Sequence, residues 1–308
     1  MTITNLLGIK YPIFQGAMAQ IARHELVSAV SNAGALGILA SGGVSPEELR
    51  KEIQQCKEFT DKPFAVNLML MMPNIDEIID VVIEEGVKIV TTGAGTPRKF
   101  MPRLKEVGIK VIPVIPSVKA AVKMEELGCD AVVVEGMEAG GHVGTSTTMA
   151  LLPQVTSAVN IPVIAAGGIA DGRGMAAAYC LGASGVQMGT VFLASEECPV
   201  TDAYKNMILE AVDTSTTLTG EKFGAPVRGI KNELTKRYHE LEEQSSTLME
   251  LEELTLGSLR RAVYDGDVEN GSVMAGQIAG LVTEIRPVKN IIEDVIKEAR
   301  EVLKKTEI

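Results

Sequence analysis

Short apolar runs rich in β-branched residues recur along the first 192 positions, each followed by a longer stretch with helical spacing of apolar and polar side chains. Eight such runs read as strands: residues 11–15, 36–40, 64–69, 88–92, 111–115, 131–135, 162–166 and 185–188. Several are apolar at consecutive positions, Val111-Ile112 and Val132-Val133-Val134 among them, which suits strands covered on both faces. The intervening helices carry start and stop signals. Ser45 precedes Pro46, Glu47 and Glu48, an N-cap followed by a first-turn proline and first-turn acids. Gly34, Gly86, Gly108, Gly128 and Gly182 each stand just ahead of a strand, where a left-handed residue ends a helix.

A strand–helix unit repeated eight times at about 23 residues predicts an α/β fold, the TIM (β/α)8 barrel. An open doubly wound sheet is the alternative; no G-x-G-x-x-G follows any strand, which disfavours it. The rhythm changes after residue 195. Residues 201–212 read as helix, 214–224 as an irregular Thr-rich stretch, 234–254 as charged helix, 271–281 as a small-residue apolar segment and 291–305 as amphipathic helix. The expected organisation is a barrel core over 1–195 and a mainly helical C-terminal extension over 196–308, covering part of the barrel mouth.

Composition removes several classes of function. With 46% hydrophobic and 22% charged residues the chain is not disordered, and Ala, Val, Ile and Leu must fill a core that lacks Trp. A net charge of −11 argues against non-specific nucleic-acid binding, which needs cations to displace phosphate counterions. No apolar run approaches the ~18 residues of a membrane span. Residues 1–16 lack the basic and apolar regions of a signal peptide. Cys56, Cys129, Cys180 and Cys198 lie far apart with no CxxC, so reduced thiols in a cytoplasmic protein are expected and no metal site.

In such a barrel the chemistry sits on the loops after the strands. Gly167-Gly168 follows the seventh run, and Gln187-Met188-Gly189-Thr190 closes the eighth. Glycines there let backbone N–H groups approach an anion, so Gly167, Gly168, Gly189 and Thr190 form a candidate phosphate cup. After the sixth run comes Glu135-Gly136-Met137-Glu138-Ala139-Gly140-Gly141-His142. Two glycines open room for a flat ligand, and His142 sets on the rim an imidazole suited to proton transfer near neutral pH. Asn67 interrupts an apolar run and offers both a donor and an acceptor toward the mouth. Glu135 and Glu138 flank the glycine loop, either as an acid/base pair or as hydrogen-bonding groups. Met18, Met69 and Met274 read as soft packing around a ligand; His24 and His239, in polar helical settings, read as structural.

The segments Y-P-I-F-Q-G-A-M at 11–18, E-G-M-E-A-G-G-H-V-G at 135–144, A-A-G-G-I-A at 165–170, Q-M-G-T at 187–190, R-G-I-K-N at 228–232 and G-S-V-M-A-G-Q-I-A-G-L at 271–281 span most of the chain. Together they resemble the flavin-dependent nitronate monooxygenase-like superfamily, and within it the enoyl-acyl-carrier-protein reductase II branch. The glycine–histidine loop is shared with the nitronate-oxidising relatives, so nitronate monooxygenase is the alternative activity. The resemblance implies FMN at the mouth, with Ala17 and Met18 against the ring and Asn67 at its polar edge. It places Ala139, Gly140 and Gly141 along the flavin, with Gly167, Gly168, Gly189 and Thr190 at the phosphate. Glu135, Gln187, Met274 and Gln277 complete the implied cofactor set, and His142 is the implied active-site histidine. It further implies NADH or NADPH as reductant, an acyl carrier protein bearing trans-2-enoyl chains as partner, a homodimer, and activation of some members by monovalent cations. Between residues 222 and 237, Lys222, Arg228, Lys231, Lys236 and Arg237 stand against the single acid Glu233, a candidate docking face for an acidic carrier protein.

Overall fold

The computed structural model describes residues 2–244 and 247–305. Its parallel strands are β1 (Ile13–Gln15), β2 (Gly37–Ala40), β3 (Phe64–Met69), β4 (Ile89–Gly93), β5 (Lys110–Ile115) and β6 (Val132–Glu135), then, after a two-residue strand β7 (Gly141–His142) outside the barrel, β8 (Val163–Ala166) and β9 (Gly185–Met188). They pair in the order β1-β9-β8-β6-β5-β4-β3-β2. A parallel bridge between Phe14 and Leu36 joins the two ends into a TIM barrel. β1 has only three residues, so its main chain cannot satisfy all of β2. The Gln15 side chain substitutes for a peptide group: it accepts from the Ile38 N–H at 3.1 Å and donates to the Ile38 carbonyl at 3.4 Å.

Strand residues alternate between two packed layers, which is why the runs look continuously apolar in sequence. Phe14, Ile38, Ala65, Ile89, Ile112, Val133 and Ile164 face the barrel axis, together with Ile3 and Leu7 from the helix Ile3–Leu7 that plugs the N-terminal end. Ile13, Leu39, Val66, Val90, Val111, Val134 and Val186 face outward into the helical ring. The local signals hold. All five helix-ending glycines have positive φ, and Ser45 with Glu48 forms a reciprocal capping box at the start of helix Pro46–Phe59.

Beyond the barrel come the helix Asp202–Leu209, β10 (Thr216–Thr219), β11 (Val227–Ile230), the helices Glu233–Glu243 and Leu248–Thr255, and the last helix Val288–Lys305. The Thr-rich stretch is therefore not irregular. It contains β10, which pairs antiparallel with β11, which in turn pairs antiparallel with β7. All four residues of β10 are half-buried, so no in–out alternation marked it as a strand, although Thr fits a pleated surface well. The extension stays mainly helical, with this ribbon inserted.

The last helix lies along helix Gly172–Cys180, burying Ile291, Ile292, Val295, Ile296 and Ala299. The approach needs a glycine: a Cβ on Gly172 would stand 2.3 Å from the Ala299 nitrogen. Instead the Gly172 N–H donates to Glu298 Oε2 at 2.7 Å. Among the described residues no helix is long and apolar enough to cross a membrane. The four cysteines are free, and burial pushes the Cys129 and Cys198 thiols up to about 11.

Candidate active site

At the C-terminal end of the barrel, Asn67, Thr91, Glu135 and Gln187 continue the axis-facing rows begun by Ala65, Ile89, Val133 and Gly185. Asn67 and Thr91 are register partners, and Asn67 Nδ2 donates to Thr91 Oγ1 at 2.9 Å. That bond orients the amide, and its carbonyl oxygen has no partner among the described residues. The Glu135 carboxyl has no hydrogen-bond partner among the described residues, and burial pushes it up to about 7. Gln187 is 9% exposed and presses its amide against Gly16, in the loop that carries Ala17 and Met18.

The loop from Gly136 to His142 is fastened along its length. Gly136 N–H donates to the Ala166 carbonyl and Met137 N–H to that of Ser146, both at 2.9 Å. The Glu138 carboxylate accepts from the Thr148 N–H at 2.9 and 3.0 Å, with Thr148 Oγ1 3.0 Å away and also 3.0 Å from the Gly167 carbonyl. Glu138 is thus committed to the scaffold, and the two glutamates do not form an acid/base pair. One is bound within the loop and the other stands without a partner in the mouth.

A second wall comes from the C-terminal segment. Gly140 touches it so closely that a Cβ would lie 2.8 Å from Ala275 Cα. Gln277 N–H donates to the Glu138 carbonyl at 2.8 Å, and Gly276 N–H donates to Thr190 Oγ1 at 2.9 Å. The fully buried Tyr204 fixes the same segment by donating to the Met274 carbonyl at 3.0 Å. Met274 Sδ consequently sits over Gly141, while the Gln277 side chain is exposed.

His142 projects from β7, whose backbone is held by β11: Gly141 pairs with Arg228 and His142 with Val227. The residue is exposed and its imidazole has no partner among the described residues. The other histidines lie elsewhere. His24 Nδ1 sits 3.0 Å from Glu52 and stacks on Phe59, and His239 bridges Thr217 and Glu242.

Across the mouth, Gly167 and Gly168 have φ of 89° and 74°. The N–H groups of Gly168, Gly189 and Thr190 make no turn or loop hydrogen bond to backbone among the described residues. Met18 Sδ approaches Gly189. Unpaired N–H groups beside a glycine turn are groups that an anion could meet, and Met18 and Met274 each set a sulfur against a glycine of the neighbouring loops. The predicted residues therefore gather at one end of the barrel.

The basic stretch does not form a single exposed face. Arg228 is 4% exposed, with Nε donating to the Met137 carbonyl at 3.0 Å and Nη1 to Thr216 Oγ1 at 3.1 Å. Lys222 donates to the Glu242 carbonyl at 2.7 Å, and Lys236 and Arg237 both lie within 4 Å of Glu233. Counting charges along the chain missed the burial of one cation and the neutralisation of others. The sequence reading also missed Thr148, Tyr204 and the seam role of Gln15. Their signals are single polar residues whose partners are distant in sequence.

Glycine turns after the last two barrel strands and an exposed imidazole at the same end agree with a TIM barrel of the flavoprotein oxidoreductase class. The chain belongs to the nitronate monooxygenase family, whose model matches residues 1–78 and 74–298; the FMN dependence of this family supports FMN as the cofactor. A solved structure, FabK from Thermotoga maritima, is 51% identical, covers 99% of this chain and 98% of its own, and superposes with a TM-score of 0.96. A probable nitronate monooxygenase of Staphylococcus saprophyticus is 37% identical over 98% of both chains. A (3aS,4S,5R,7aS)-5-hydroxy-7a-methyl-1-oxo-octahydro-1H-indene-4-carboxyl-CoA dehydrogenase of Mycobacterium tuberculosis is 36% identical over 96% of this chain and 95% of its own.

Proposed function

We propose that this protein is an FMN-dependent reductase of trans-2-enoyl thioesters, using NADH or NADPH and drawing its substrate from an acyl carrier protein. The observation that carries the reading is the 51% identity to the Thermotoga maritima FabK over nearly the whole of both chains. The mycobacterial relative, named for a CoA thioester, supports an acyl-thioester substrate. Nitronate oxidation is the second reading, supported by the family model and the staphylococcal relative.

In this reading the N–H groups of Gly168, Gly189 and Thr190 hold the FMN phosphate, with Gly167 shaping the turn. Ala17, Met18, Ala139, Gly140, Gly141 and Met274 line the ring, and Asn67, Glu135 and Gln187 meet its polar groups from the barrel floor. Bound FMN supplies the hydride relay from nicotinamide to the substrate β-carbon. The protein positions the thioester over the mouth and excludes water from it. His142 donates a hydrogen bond to the thioester oxygen, where negative charge develops during reduction, and the α-carbon takes up a proton to complete the saturated thioester.

Anaerobic oxidation of NADH and NADPH with crotonyl-CoA, set beside oxygen uptake with an alkyl nitronate, tests the reading. Crotonyl-CoA-dependent oxidation without oxygen is expected; turnover of the nitronate alone would establish the second reading. His142→Ala should retain FMN while losing enoyl reduction by about 10²-fold. Unaltered turnover would remove His142 from the mechanism.

A further inference from the structure

We infer that Arg228 is a positioning residue for His142, acting through the main chain of the glycine–histidine loop. Arg228 belongs to the R-G-I-K-N segment, and the proposed chemistry assigns that segment no role. Its guanidinium lies inside the protein with no carboxylate within 4.0 Å among the described residues. Burying a cation without an ion pair is costly, and its position is held by directed hydrogen bonds. Burial draws the Arg228 guanidinium below its usual value, while the nearby charge of Glu138 opposes this.

The two bonds that Arg228 makes are placed to act on the loop. Nε grips the Met137 carbonyl five residues before His142, and Nη1 is steadied by Thr216 on β10. Its own backbone pairs with Gly141, and the neighbouring Val227 pairs with His142. Val143 N–H donates to the Pro226 carbonyl at 3.1 Å, extending the pairing past the histidine. One residue therefore ties the start of the loop, through its side chain, and the end of the loop, through its strand, to the same ribbon. Glu138 fastens the middle to Thr148. Because the imidazole has no hydrogen-bond partner of its own, the ribbon sets where the ring stands.

This inference rests on His142 being the active-site histidine, and its test is arranged so that the two fail separately. The chain has three histidines, so histidine-labelled flavoprotein gives three ring signals. In Arg228→Met, the pH midpoint of His142 should move by roughly half a unit or more, with those of His24 and His239 unmoved. Thr216→Val, which frees the guanidinium and keeps its charge, should move the same signal in the same direction, and it serves if the methionine variant does not fold. In turnover with crotonyl-CoA, Arg228→Met should lower kcat about 10-fold, with KM for the nicotinamide unchanged. Arg228→Lys should recover part of that loss. Adding His142→Ala to Arg228→Met should cost nothing beyond His142→Ala alone. An unmoved His142 signal, an equal movement of all three signals, or losses that multiply in the double variant would each overturn the positioning role. A wild-type protein with no crotonyl-CoA turnover would overturn the enoyl-reductase reading and leave the spectroscopic result standing.

Discussion

Glu135 and Glu138 stand three residues apart in one loop, and their surroundings divide their duties. Glu138 receives the Thr148 N–H and binds the loop to the scaffold, whereas Glu135 meets no donor and is pushed up to about 7. An unfolded glutamate ionises near 4.5, so between about pH 4.5 and 7 unfolding releases a proton that the folded protein retains. Stability from this group is therefore lost as pH rises through that window and is level above it. At about 1.4 kcal/mol per pH unit the loss reaches ~3 kcal/mol. Glu135→Gln should show it directly: in flavin-free protein, its melting temperature relative to wild type should rise by ~4 °C between pH 5 and pH 8. A pH-independent difference would mean that Glu135 ionises normally in the folded protein. The presence of both carboxylates was legible in the sequence. Which one was committed was not, because that depended on Thr148 reaching back across ten residues.

At the scale of elements, the barrel strands were readable because each is covered on both faces and so writes an unbroken apolar run, as in Val132-Val133-Val134. Helix ends were readable because capping is local, as at Ser45 and Gly182. The ribbon of β7, β10 and β11 was hidden for the opposite reason: its strands are two to four residues long and partly exposed, and β7 finds β11 only across about 86 positions. The wall formed by the C-terminal segment was expected only in outline, as a cover over part of the mouth bearing Met274 and Gln277, since its fit to the loop depends on bare backbone. Gly140→Ala tests that fit. Its new methyl group would meet Ala275 main chain, which cannot rotate away, so the two walls must part. A loss of ~1–3 kcal/mol in stability and about tenfold weaker FMN binding in a fluorescence titration are expected. Tight FMN binding by this variant would show that the wall adapts freely.

Across the whole molecule, the barrel class and the gathering of glycines at one end followed from the order of strands and loops, because topology fixes which ends point the same way. The closing of the molecule did not. The last helix covers Gly172 and buries a row of Ile, Val and Ala side chains. Its amphipathic pattern announced a packed helix without naming the neighbour. Ending the chain at Pro287 should expose that row and the start of the helix after the Gly167–Gly168 turn, giving a protein that aggregates or melts at least ~10 °C lower by scanning calorimetry. A soluble truncation melting like the full chain would make the helix an accessory.

The bond from Gly276 to Thr190 spans 86 residues of chain, and Gln277 reaches Glu138 over a still longer distance. The eight-stranded body can therefore assemble before the segment of Met274 and Ala275 reaches the glycine loop. That wall is a contact of long sequence separation, the kind whose closure costs the most chain entropy and comes late in folding.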